Sequence, residues 1–193
     1  MGSVCELPRS GEKVRARLQQ AALELYRERG YDRTTTAEIA ARAGVTERTF
    51  FRHFPDKREV LFDGEAGLLV ALAKAVVEAP QTLGPLEVLL RTFQSIEKLL
   101  TENRPFTEPR REVIVITPAL QERAEAKTAS VTAALASALE RRGVDAPLAS
   151  LAARVGMAAF SHALDAWVDD PAVSLGVHLR RAFQAVRGLS GSD

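Results

Sequence analysis

Residues 35–57 read TTAEIAARAGVTERTFFRHFPDK, and this stretch leaves the chain few ways to fold. Thr35 followed three residues later by Glu38 is a capping box: the hydroxyl takes the backbone N–H of Glu38, and the carboxylate returns to the N–H of Thr35. Ile39, Ala40 and Ala43 then share one face of a short helix that stops at Gly44, where a glycine accepts the left-handed conformation. Val45 pins the turn to the core. Thr46 caps a second helix whose Phe50 and Phe54, four apart, point inward. Its other face carries Glu47, Arg48, Thr49, Phe51, Arg52 and His53. Two short helices about a glycine turn, the second with such a face, read as a helix-turn-helix.

The flanking sequence is helical throughout. From Glu12 to Arg29, Leu18, Ala21, Ala22, Leu25 and Tyr26 recur at helical spacing, and Gly30 closes the helix. A long helix is expected from Lys57 to Val77, with Gly64 and Gly67 inside it at a cost of roughly 1 kcal/mol each against alanine. Those glycines either soften a connector or admit close packing. Leu86 to Leu100 reads as a helix closed by Asn103-Arg104-Pro105. The apolar run at 113–116 fits a strand by periodicity alone, but its surroundings favour a short buried helix over 108–116. Leu120–Arg142 is expected as a long helix, followed by 147–168 and 171–189. The helix at 147–168 has one stripe of Leu148, Leu151, Ala152, Val155 and Ala159 and another of Met157, Phe160, Leu164 and Trp167. A helix apolar on two sides must bury both, and a homodimer interface through 148–168 and 171–189 does so. The small residues of 149–163 are expected to admit partner helices closely. The whole reads as all-α, about nine helices, with a helix-turn-helix domain over 12–60 and a larger helical domain over 61–189.

Composition narrows the function. With 193 residues and 46 % apolar content the chain can bury one or two cores. No run approaches eighteen apolar residues and no apolar leader opens the chain, so the expectation is a cytoplasmic protein with no membrane partner. The single cysteine, Cys5, allows no internal disulfide and fits a reducing compartment. Residues 1–60 balance at +3 and the remainder at −2, the sign expected if only the front end meets phosphates. Arg9, Lys13, Arg15 and Arg17 make the junction with the first helix basic. Histidines 53, 162 and 178 lie on separate elements; His162 and Asp165 form at most half a metal site. With no phosphate loop or nucleophile elbow, neither an enzyme, a metal nor a cofactor is expected.

The run from Thr35 to Lys57 resembles the DNA-binding segment of TetR-family bacterial transcription regulators. Thr35, Ile39-Ala40, Ala43-Gly44-Val45, Thr49-Phe50-Phe51, His53-Phe54 and Lys57 carry the resemblance in register and without gaps. The departure is Phe51, where the family usually has a tyrosine whose hydroxyl meets a phosphate; here only the ring is left to touch sugar or a thymine methyl. More loosely, Arg110 to Leu120 and Trp167 resemble a subgroup that includes the mycofactocin-system regulators. By position on the second helix, Arg48 is expected to take guanine O6 and N7. Glu47 either accepts from cytosine N4 or complements the helix dipole. Thr35, Thr49, His53 and Lys57 are expected near phosphates, with Thr46 also counted at the DNA-binding face and Arg42 and Arg52 either phosphate partners or solvent-exposed. The resemblance implies a double-stranded DNA operator, a homodimer and a small-molecule effector held in the larger domain. The candidate lining there is Phe93, Gln94, Phe106, Arg111, Met157, Phe160, His162 and Trp167. Arg104, Arg110 and Arg111 either favour an anionic ligand, such as a carboxylate or acyl thioester, or form a solvated basic face. The implied function is a repressor released from a palindromic operator by a small hydrophobic or acyl/anionic ligand. The alternative is a helical regulator that acts through a protein partner without an inducer.

Overall fold

A computed structural model describes residues 10–189, with side chains from Gly11 onward. The expectations placed on Cys5 and Arg9 lie outside the described residues. The helices are α1 (Ser10–Arg29), α2 (Thr36–Arg42), α3 (Glu47–His53), α4 (Glu65–Glu78), α5 (Pro85–Ser95) and α6 (Glu97–Glu102). Then follow α7 (Arg104–Val115), α8 (Pro118–Arg141), α9 (Ala146–Asp169) and α10 (Leu175–Leu189), with a 3-10 turn at Glu59–Phe62. No strand occurs among the described residues, and no helix there is long and apolar enough to cross a membrane. The chain divides into two compact units. The first holds residues up to Asp63 together with Pro109–Ala124; the second holds Gly64–Glu108 and the residues from Glu125 on. A division in chain order at residue 60 leaves 109–124 with the larger domain, whereas packing places it in the first unit.

In the first unit, α1 ends where Gly30 takes φ +86° and its N–H returns to the carbonyl of Tyr26 at 3.0 Å. The buried Thr34 hydroxyl donates to the Gly30 carbonyl at 2.9 Å, so the exposed end of α1 is closed by a side chain that never meets solvent. Leu18, Ala22, Leu25, Ile39, Ala40, Phe50, Phe54, Val60, Leu61 and Phe62 are among its buried apolar residues. The long helix expected from Lys57 is two pieces. Val60, Leu61 and Phe62 are all buried. The chain makes a 3-10 turn instead, started by Asp56, whose carboxylate accepts the N–H groups of Arg58 and Glu59 at 2.7 and 3.0 Å. Gly64, at φ +82°, then starts α4 afresh. A Cβ at Gly64 or Gly67 would meet nothing within 4 Å, so close packing is not why either is glycine.

The second unit is built on side-chain packing. Phe93, Leu135, Leu139, Leu175, Leu179 and Phe183 are buried in one cluster with the small residues of α9. Ala149, Ala153, Gly156 and Ala163 face inward, and a Cβ on Gly156 would lie 2.6 Å from Leu89 Cδ1 on α5. Gly156 thus brings α5 and α9 close together within the subunit. Leu179 is likewise fully buried, while Leu148, Leu151 and Leu189 are 50 %, 59 % and 85 % exposed. Two remote groups close helix ends: Glu97 accepts the Gly176 N–H at 2.8 Å at the start of α10, and Arg142 donates to the carbonyls of Val76, Ala79 and Pro80 at the end of α4. Residues 113–115 end α7 and Ile116 lies in the turn after it; Val115 and Ile116 are exposed and only Val113 is fully buried. The expectation of a helix buried all round is corrected accordingly.

Candidate nucleic-acid interface

The second helix of the motif, α3, is seven residues long and too short to hold its own shape. Its position comes from hydrogen bonds at both ends. Thr46 accepts the Thr49 N–H at 3.2 Å, and the two hydroxyls meet at 3.0 Å. Glu47 accepts from the Thr36 hydroxyl, which ties the first turns of α2 and α3 together. The capping box is formed: Thr35 Oγ1 accepts the Glu38 N–H at 3.2 Å, and Glu38 accepts the Thr35 N–H at 2.9 Å. Between the helices Gly44 sits at φ +68°, and the Val45 N–H reaches the Ala40 carbonyl at 2.9 Å. At the far end Arg15 Nη2 donates to the His53 carbonyl at 3.2 Å, pairs with Asp63 through Nη1, and lies 5.2 Å from the centre of the Phe54 ring. Phe50 and Phe54 are buried as expected, their rings 5.9 Å apart.

Burial and pairing then sort the candidate residues. Arg48 and Arg52 are exposed on α3 and have no hydrogen-bond or ion-pair partner among the described residues; Phe51 between them is 52 % exposed. Lys13 and Arg17 of α1 are likewise exposed and unpaired among those residues, and a Cβ on Gly44 would lie 3.8 Å from Arg17 Nη1. Lys57 differs. Its ammonium donates to the carbonyls of Tyr31 and Thr34 at 2.8 and 2.9 Å and rides 4.2 Å over the Tyr31 ring, while its own carbonyl accepts from the Tyr26 hydroxyl at 2.5 Å. This lysine braces the loop that leads into α2. Arg42 is engaged too, in a two-bond pair with Glu28 at 2.9 Å for each bond on the exposed side of α2. His53 keeps its Nε2 buried without a hydrogen-bond partner among the described residues. Desolvation, then the Arg15 and Arg52 cations, hold its pKa below the ordinary histidine value, which favours the neutral ring. The bracing roles of Arg15 and Lys57 left no mark in the sequence, because each depends on carbonyls brought near by folding.

The eight candidates for a ligand lining fall in both units. Arg111 belongs to the first unit and the other seven to the second. Phe93 and Phe160 stack at 4.3 Å and 18°, and Phe183 lies 6.2 Å from Phe93. Met157 and Trp167 are buried, Gln94 and Phe106 half-buried, and His162 points to solvent. Arg104 covers the Trp167 ring at 4.6 Å and meets Glu108 at 3.6 Å. On the outer side of α9, Leu148, Leu151, Ala152 and Val155 form an open apolar groove with Pro85, Leu86 and Val186.

Residues 18–63 match the family model described as "Bacterial regulatory proteins, tetR family", and residues 83–189 match that of the "MftR C-terminal domain". The HTH-type transcriptional regulator TcmR of Streptomyces glaucescens is 34 % identical over 84 residues, 44 % of this chain and 37 % of TcmR. The match thus spans little more than a third of that relative's length. A complex of SmeT with triclosan has a TM-score of 0.63 at 23 % identity, over 89 % of this chain and 90 % of SmeT. SmeT is described elsewhere as the repressor of the Stenotrophomonas maltophilia efflux pump SmeDEF. FadR of Thermus thermophilus, a transcriptional repressor in complex with lauroyl-CoA, has a TM-score of 0.54 at 26 % identity, over 88 % of this chain and 91 % of that one.

Proposed function

Because the chain belongs to the TetR family of DNA-binding transcriptional regulators, which are not enzymes, we propose that it is a cytoplasmic homodimeric repressor that leaves its operator when a small hydrophobic or anionic acyl ligand binds. The observation that carries the reading is α3: a short helix fixed at both ends that exposes Phe51 and offers Arg48 and Arg52 to solvent without hydrogen-bond or ion-pair partners among the described residues. A rigid helix with unpaired guanidinium groups suits the major groove, where an arginine fork matches guanine O6 and N7. Arg48, in the first turn, takes that role. Arg52 and the neighbouring Lys13 and Arg17 meet phosphates, which position the protein without reading sequence. Thr35, Thr46 and Thr49 line the same approach, and Glu47 serves chiefly to fasten α3 to α2. Lys57 positions rather than contacts.

The apolar groove of α9 supports a two-fold interface through Leu148, Leu151, Val155 and Val186. Triclosan in SmeT and lauroyl-CoA in FadR support a small apolar or acyl effector. The Phe93 and Phe160 rings stacked beside Phe183 favour a second reading, in which the larger domain has no inducer and a protein partner regulates it. Gel-shift assays with the promoter next to the protein's own gene test DNA binding. Release of that complex by an acyl or hydrophobic compound supports the first reading, and release only by a protein fraction supports the second.

A further inference from the structure

Arg110 of α7 is a largely buried cation with no acidic partner among the described residues. Its Nε donates to the Leu61 carbonyl, and its guanidinium carbon lies 4.8 Å from the centre of the Phe62 ring. Arg123 of α8 lies 5.0 Å from the same ring, but there Glu59 takes the charge through bonds of 2.6 and 3.0 Å. Glu59 is occupied by that pairing, so the group of Glu59, Arg110 and Arg123 carries one net positive charge. Burial, and to a smaller degree the Arg123 cation, push the Arg110 pKa down to about 10, so the group is still charged at neutral pH. A buried charge of this kind is costly to hold, and a ring face with one carbonyl offsets only part of the cost. The Nε edge is used. The two Nη groups, the edge that matches a carboxylate or phosphate in a bidentate pair, have no acceptor among the described residues.

We propose that Arg110 is the residue that recognises the anionic head group of the effector, through its two Nη groups. This deepens the ligand-responsive reading and rests on it. The same guanidinium holds the Leu61 carbonyl, four residues beyond Lys57, whose carbonyl accepts from Tyr26. A head group at the Nη edge therefore fixes the orientation of the group that fastens the segment leaving α3. Anion recognition and the brace on the reading domain meet in one side chain.

Titration calorimetry on the full chain with dodecanoate, lauroyl-CoA and the uncharged dodecanol tests this, using wild type, Arg110→Gln and Arg110→Lys. Wild type should bind at least one anionic probe about tenfold more tightly than dodecanol, in keeping with a charge-assisted bidentate pair. Arg110→Gln should lose that preference while its affinity for dodecanol stays the same, and Arg110→Lys should keep only part of it. Dependence on Arg110 for dodecanoate identifies a carboxylate head; dependence for lauroyl-CoA alone identifies the phosphates. Wild type that favours neither anion, or Arg110→Gln with its preference intact, overturns the proposal. If Arg110→Gln fails to fold, Arg110→Lys decides, and an undiminished preference there overturns it. Failure of all three probes to bind strikes the ligand-responsive reading itself, a result distinct from dodecanol binding without any preference for the anions.

Discussion

The helices α3 and α9 are both placed firmly, by opposite means. The seven residues of α3 are held by a threonine cap, a link to α2 and a guanidinium on its last carbonyl. The twenty-four residues of α9 have no side-chain cap at their start and are held by what they bury. A helix that must present one face to a partner cannot bury it, so directional bonds at its ends take over the work of packing. A helix at the centre of a core has the reverse freedom and tolerates plain ends. Substitutions should therefore act in different currencies: on stability in α9 and its neighbours, on DNA binding around α3.

The largest effect separates buried from exposed positions of the second unit. Leu179→Glu puts a charge where no solvent reaches and should unfold the protein, a loss above about 4 kcal/mol read in urea denaturation. Leu151→Glu, at a position 59 % exposed, should leave the fold intact and shift light scattering from dimer to monomer. Next comes the contact of α5 with α9. Gly156→Ala should cost about 1–3 kcal/mol through the overlap with Leu89 Cδ1. Combined with Leu89→Ala it should cost less than the two changes summed, by about 1 kcal/mol or more in a double-mutant cycle. Strict additivity would remove that contact as the cause.

Near α3 the expected changes in stability are smaller and the functional ones larger. Lys57→Met removes the donor to the Tyr31 and Thr34 carbonyls and should cost about 1–3 kcal/mol. Hydrogen exchange should show the loss in α2 and α3, and affinity should fall for all DNA sequences alike. The smallest effect belongs to His53, whose pKa in the folded chain lies below the ordinary value. Its contribution is complete where histidine is neutral in both states, above about pH 6.5, and is lost as pH falls below that toward its lower folded value. Melting curves between neutral and mildly acid pH should decline less steeply for His53→Asn than for wild type.

The same contrast explains what could be read in the chain. The capping box at Thr35 and Glu38, the Gly44 turn, the Thr46 cap and the inward Phe50 and Phe54 all depend on neighbours within five residues, and each forms in the structure. Lys57, Arg15 and Arg42 were not legible as braces, because their partners lie between 14 and 48 residues away. The break at Gly64 was hidden because an apolar run beside glycine serves a 3-10 turn and a helix equally well. Leu179 and Leu151 fall on similar stripes, and only the arrangement of α5, α9 and α10 decides which is covered.

Selection of binding sites from random DNA tests directly whether α3 reads sequence through Arg48. Arg48→Ala should lose preference at one operator position, by about 1–3 kcal/mol, and keep it elsewhere. Arg52→Ala, run beside it at two salt concentrations, should weaken binding to every sequence and make the salt slope shallower by about one unit. An Arg48→Ala protein that selects the same site with undiminished preference would contradict the assignment.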